Sequence, residues 1–330
     1  MPNIIEILGV LSPVLSSTNI VNLSETTLGI LRTSLPVTTK SVAQSSDKSL
    51  RTIERFYAQA FLPWLTIRLL LFKRFFFNLD NVYLIALDET NEQKSGKSSY
   101  GVGRFYSSLF RKVIRSVNFL GFSLVNTATS ESSILWVEQS TPKKNNRPKQ
   151  KRSSSKKGVQ KKTSGKGKPK GRPKGSKNKP YQEPKSQSFQ MVKKALKVLL
   201  PLLNKHLPKL NAPYLVGDGA YGNQHYQKLS ESFGLQLITK LKHNAHLIFP
   251  YQGKQKSQGK KRHLGKKVDY TKIPKKYLVT FPEDHPFSEK NIQVFQFKAY
   301  AHRMKGVLLN IVVIQKYNPT TKKTTQTVLM

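Results

Sequence analysis

VYLIAL, Val82 to Leu87, ends on Asp88, and the reading of this run decides the fold. Six apolar residues without alternation, stopped by a charge, fit a strand buried on both faces at the centre of a sheet. Two more strand candidates follow at Phe119 to Val125 and Ile134 to Gln139. Beyond them FQMVKKALKVLLPLLNKHL places Val192, Leu196, Leu199 and Leu203 on one helical stripe opposite Lys193, Lys194 and Lys197, with Pro201 set to kink the helix or shift its end. Tyr214 to Val216 is a short strand closing on Gly217 and Asp218. A helix follows from Asn223, with Tyr226, Leu229 and Phe233 on one face and Gly234 as its stop, and Leu235 to Lys242 then alternates as a strand. Three strands, a helix, a strand, a helix and a strand make a mixed α/β sheet.

The flanks differ in character. Residues 1–78 lack strand-like alternation, and KSVAQSSDKSLRTIERFYAQAFLPWL repeats Ile53, Phe56, Ala60 and Trp64 at helical steps. Asp47 or Ser49 can cap a helix opening at Leu50, with Arg51 and Arg55 one turn apart on its polar face. This suits a helix-turn-helix recognition helix, and equally an ordinary amphipathic helix with a solvated basic face. From about Phe249 a basic loop, QGKQKSQGKKRHLGKK, leads into strand-like runs at Ile292 to Phe297, Val307 to Ile314 and Thr324 to Met330, read as a strand-rich insertion over 249–330.

Charge narrows the partners. Lys and Arg number 57 against 17 Asp and Glu, a formal charge of +40 on 330 residues, which opposes compaction unless a polyanion neutralises it. Nucleic acid is the obvious polyanion. The stretch from Lys143 to Lys179 alone holds seventeen Lys or Arg and no acid. Mixed with Pro, Gly and Ser it cannot bury a core, so a disordered basic insert is expected over 141–185. A spanning helix is not expected: the most apolar stretch, Phe61 to Leu79, is broken by Arg68, Lys73 and Arg74, each costing about 2.5–3.5 kcal/mol at a bilayer centre. Zero cysteines remove disulfides, thiolate zinc sites and cysteine nucleophiles together. An intracellular protein, cytoplasmic and associated with the nucleoid, is the expectation.

Asp88 and Asp218 both close apolar strands, which puts them at the carboxyl edge of the sheet, where open α/β folds place their sites. A lone Asp after an apolar run is usually a loop starter or helix cap. Together, in so basic a chain, they suit phosphodiester chemistry, for which Mg²⁺ wants hard oxygen ligands on rigid elements. Glu89 and Glu92 are supporting groups or exposed loop acids. KSGKSS, from Lys94, is no nucleotide-binding loop, because position 91 is Asn where that motif needs Gly.

LIALDETNEQKSGKSSYGVGRFYSS, followed by YLVGDGAYGN and LITKLKHNAHL, resembles the two catalytic-aspartate regions of DDE insertion-sequence transposases, whose catalytic domain is ribonuclease H-like. The resemblance covers about residues 45–330. It implies a ribonuclease H-like domain over 79–330, behind the small helical domain that the periodicity gives over 1–78. It also implies Mg²⁺-dependent cutting at element ends followed by strand transfer, generally by dimers. Asp88 and Asp218 become the first and second metal-binding carboxylates, and Lys94, Lys97 and Arg104 phosphate contacts near Asp88 or, equally, solvated loop cations. The family's third carboxylate, a Glu in Tyr-x2-Arg-x3-Glu-x6-Lys on a helix, has no counterpart here. After Tyr300 and Arg303 the Glu and Lys positions are Val307 and Ile314, while Glu283, Asp284 and Glu289 are weak substitutes. The expectation is therefore a truncated transposase, its missing Glu and C-terminal helix supplied by a downstream reading frame. The alternatives are a non-catalytic remnant competing for element ends and, weaker, a structural RNA-binding protein. Gly171-Arg172-Pro173-Lys174 resembles an AT-hook, with Arg172, Pro173 and Lys174 set for an A·T-rich minor groove or for phosphates alone.

Overall fold

The computed structural model describes residues 4–58, 63–94, 99–107, 109–141, 181–304 and 306–330. Lys97, Arg172, Pro173, Lys174 and nearly all of the expected basic insert lie outside the described residues.

Five helices precede the sheet: α1 (Ile4–Gly9), α2 (Ser17–Arg32), α3 (Thr39–Gln44), α4 (Leu50–Tyr57) and α5 (Trp64–Phe75). Ser49 caps α4 by accepting from the Thr52 N–H at 3.3 Å, and Ile53 and Phe56 are buried. The expected single stripe from Ile53 to Trp64 is corrected. The helix stops at Tyr57, Ala60 lies outside the described residues, and Trp64 opens a separate helix with 41% of its surface exposed. Pro63, which disfavours helix in the residue before it, stands at the start of α5. Helices α2, α3 and α4 pack on one another at close range: a Cβ at Gly29 would lie 2.5 Å from the Val42 carbonyl oxygen.

The sheet begins with β1 (Val82–Gln93), β2 (Gly103–Ser107), β3 (Lys112–Asn126) and β4 (Ser132–Ser140). Then come α6 (Gln187–His206), β5 (Asn211–Gly217), α7 (Gln224–Ser232) and β6 (Gln236–Leu241). Strand β3 lies antiparallel to β1, while β5 runs parallel to β1 and β6 parallel to β5. This order, an antiparallel meander continued by parallel strands with helical crossovers, is the mixed sheet of a ribonuclease H-like fold. Helices α5, α6 and α7 share one core with the sheet: Leu69 and Phe72, Leu196 and Leu199, and Leu229 pack with Tyr83, Ile85, Leu87, Phe122 and Leu215. Pro201 does not end α6, which continues to His206.

The remaining strands are β7 (Leu247–Pro250), β8 (Leu264–Lys267), β9 (Leu278–Val279), β10 (Ile292–Ala301), β11 (Leu308–Asn318) and β12 (Lys323–Leu329). They have their own core, with Leu247, Phe297, Ile311, Val313 and Val328 buried. Strand β12 joins them to the first half by pairing antiparallel with β6 at Val328↔Leu241 and Leu329↔Lys240. Among the described residues, no helix is long and apolar enough to cross a membrane.

Candidate active site

The parallel pairing of β1 with β5 sets Leu84 opposite Tyr214, Ala86 opposite Val216 and Leu87 opposite Gly217. One step further on each strand stand Asp88 and Asp218, both exposed. Side chains alternate along a strand, so Asp88 takes the face of Ala86 while Leu87 points into the helix-covered core, and Asp218 is the first residue past the end of β5. Neighbouring strands are about 4.8 Å apart, so the backbones at the two acids run close together. The face of Ala86 and Asp88 is open to solvent. Strand β4 carries Ile134 and Val137 on it, 57% and 47% exposed, through pairing with Ser123 and Gly121, and α5, α6 and α7 all pack on the other side.

Each aspartate is steadied by one backbone N–H. Glu89 N–H donates to Asp88 Oδ1 at 2.9 Å, and Ala220 N–H donates to Asp218 Oδ1 at 2.9 Å. The Asp218 loop is anchored at both ends. Buried Thr239 donates its hydroxyl to the Asp218 carbonyl at 2.5 Å, and the Tyr221 N–H donates to that carbonyl at 3.1 Å. Tyr221 lies against Gly217, where a Cβ would meet the ring at 2.7 Å, and makes an edge contact with Tyr226 at 4.9 Å. Its phenol is pushed far up, first by burial and then by the charges of Glu89, Asp218 and Asp88 around it.

One expectation is corrected. Asp88 does not end its strand: β1 continues to Gln93, and the polar segment after Asp88 pairs with β3 as far as Ser116. Asp88 stands instead where the parallel pairing stops and the antiparallel pairing continues. Lys94 and Arg104 are consequently not beside Asp88. They lie at the far end of this ribbon, six residues or about 20 Å further along at the rise of an extended strand. Glu89 faces the helices. It accepts hydrogen bonds from the Ser188 hydroxyl and, at 3.1 Å, from Asn118 Nδ2. Glu92 is exposed on the ribbon. Arg51 and Arg55 are exposed on α4.

The groups beside the Asp218 loop stand, His302 apart, inside two of the stretches that carry the resemblance, but nothing in the sequence assigned them a role of their own. A cavity of about 380 Å³ there is lined by Gly219, Gly222, Lys240, Lys242, His246 and His302. Gly222 faces the Lys240 carbonyl oxygen so closely that a Cβ would lie 3.0 Å from it. Lys240 and Lys242 are exposed and form no ion pair among the described residues, so the wall next to Asp218 is positive. Among the described residues no three His, Asp or Glu side chains group as a metal site. Tyr300 and Ile314 lie in strands, Arg303 in a single 3-10 turn and Val307 just before a strand, so the spacing Tyr300, Arg303, Val307 and Ile314 falls on no α-helix.

No curated protein matches the chain. A family model described as DDE superfamily endonuclease matches residues 30–290, a span that contains both aspartate strands. Enzymes of this superfamily generally use divalent metals, and their substrate is DNA. The chain belongs to the DDE superfamily endonucleases, and its domain is that of a transposase-type nuclease.

Proposed function

We propose that this chain acts at the ends of an insertion-sequence element, cutting DNA and transferring the freed strand, with Asp88 and Asp218 holding Mg²⁺. The observation that supports the reading is the register Leu87↔Gly217, after which the next residue of each chain segment is an exposed aspartate. The donors fit the ion: both are exposed carboxylates, hard oxygen ligands on rigid strands, each with one oxygen uncommitted to the backbone. When bound, the ions neutralise charge on the phosphodiester and activate an oxygen nucleophile. The protein's own part is positioning. Thr239 and Ala220 fix the Asp218 loop, and Lys240 and Lys242 draw a phosphate towards it. Arg51 and Arg55 on α4 contact DNA away from the site, with Lys94, Lys97, Arg104 and Arg172, Pro173 and Lys174 as further contacts. Two copies engage paired ends.

A second reading has one observation in its favour. With no third acid grouped beside Asp88 and Asp218 among the described residues, the chain binds element ends without cutting and competes with an active transposase. Incubating the purified protein with linear element-end DNA and Mg²⁺ or Mn²⁺ separates the two. Cleavage abolished by Asp88→Ala supports the nuclease, and binding without cleavage leaves the competitor.

A further inference from the structure

The hairpin of β2 and β3 presents a surface that a protein in water alone has no use for. On one face Arg104 stands directly opposite Arg115, and Tyr106 directly opposite Val113. Like charges paired across strands repel, and nothing negative is bonded to either arginine among the described residues. Tyr106 and Val113 are 62% and 58% exposed. At the turn beyond them Leu109 is 83% exposed and Phe110 is 48% exposed, and Arg111 and Lys112 follow at once. Arg111 has φ of 51°, the left-handed region that side chains avoid, so the turn is held in a costly shape. Tyr100, 78% exposed, flanks the hairpin, its carbonyl held at 2.7 Å by Gln139 Nε2.

Apolar tips between cations match a DNA duplex, the substrate of the superfamily to which the chain belongs. A second copy of the chain would bring arginines against arginines. A duplex offers both a polyanion to lie between Arg104 and Arg115 and a base stack into which an apolar wedge can enter. Proteins that insert Leu or Phe between base steps unstack and kink the duplex in this way. We propose that the β2–β3 hairpin is a DNA wedge: Leu109 and Phe110 enter the base stack while Arg104, Arg111, Lys112 and Arg115 hold the phosphates on either side. Its base at Lys112 lies nine residues of β3 beyond Gly121, the partner of Asp88, about 30 Å along an extended strand or roughly nine base-pair steps at 3.4 Å each, so it distorts DNA away from the carboxylates. This builds on the reading of the chain as a DNA-acting protein and does not require that it cuts.

The test uses the full chain in EDTA, with duplexes carrying 2-aminopurine at successive positions. Wild-type protein is expected to raise 2-aminopurine fluorescence at one or two adjacent positions. Leu109→Ser/Phe110→Ser should abolish that rise and weaken binding by about tenfold or more, as loss of base stacking does, with an unchanged salt slope. Arg104→Gln/Arg115→Gln should lower the slope of log affinity against log salt by about 1 to 2, in the manner of lost phosphate contacts. All four side chains are exposed, so thermal melts should match wild type. The proposal is overturned if no position brightens, or if Leu109→Ser/Phe110→Ser binds as wild type does. It also falls if that variant instead converts a dimer to a monomer in sedimentation. Cleavage is not read in EDTA, so a chain that unstacks DNA but never cuts with Mg²⁺ refutes the nuclease and leaves the wedge intact.

Discussion

Gly217→Ala is the substitution whose effect the structure fixes most tightly. The new methyl would lie 2.7, 3.1 and 3.3 Å from Cδ2, Cγ and Cβ of Tyr221. Carbon atoms rest at about 3.5–4.0 Å, so the ring must retreat by roughly 1 Å. It has little room, being 3% exposed and closed off by Tyr226 at 4.9 Å. Its backbone is also tied, with Tyr221 N–H on the Asp218 carbonyl at 3.1 Å and the Asn223 N–H on the Tyr221 carbonyl at 2.7 Å. Overpacking of this kind costs about 1–3 kcal/mol. Tyr221→Ala alone should cost about 3–5 kcal/mol, the range for emptying an aromatic site. In the double variant the methyl occupies space the ring has left, so the two costs should fall short of their sum by about 1 kcal/mol or more. Urea unfolding of the four proteins measures the cycle. A Gly217→Ala protein within about 0.5 kcal/mol of wild type, or a cycle additive to that margin, would refute the packing described for the Asp218 loop.

Three further outcomes follow from local geometry. Tyr83 is fully buried, accepts from the Asn78 N–H at 2.8 Å and donates to the Phe76 carbonyl at 3.2 Å, so Tyr83→Phe should lower stability by about 1–3 kcal/mol in a urea titration. Asn223 caps α7 by accepting from the His225 N–H at 3.0 Å and the Tyr226 N–H at 3.4 Å, and Asn223→Ala should cost about 1 kcal/mol by the same measurement. Burial raises the Tyr270 phenol from the ordinary 10.0 to about 12. The unfolded chain ionises first, so this stabilisation is complete below pH 10 and fades as pH rises through about 12. Tyr270→Phe should therefore flatten the fall in urea midpoint over that window, with Tyr221 contributing in the same direction.

What the sequence shows and hides divides along physical lines. The apolar runs before Asp88 and Asp218, α6, the helix start at Asn223 and the stop at Gly234, with its φ of 73°, are legible because each rests on local chemistry: an apolar run, a helical stripe, a side-chain oxygen or a missing Cβ. The second half of β1, ending Thr90-Asn91-Glu92-Gln93, is not. Polar on both faces, it carries no alternation, and it is a strand only because β3 pairs with it. The same gap hid the distance of Lys94 and Arg104 from Asp88. The pairing of β12 with β6 joins residues far apart in the chain, which no window of sequence can register. That Asp88 faces solvent while Glu89 faces Ser188 depends on one step of strand alternation, visible only once the register is known.

In the function proposed above, Asp88 and Asp218, and not their acidic neighbours, hold a divalent ion together. Mn²⁺ titration followed by electron paramagnetic resonance, on the DNA-bound protein, reads this without requiring cleavage. Asp88→Asn and Asp218→Asn should each weaken Mn²⁺ binding at least tenfold, since even the partners of metal ligands are worth about 10–100-fold, while Glu89→Gln should leave it unchanged. Equal Mn²⁺ affinity in all four proteins, or a loss confined to Glu89→Gln, would contradict the account.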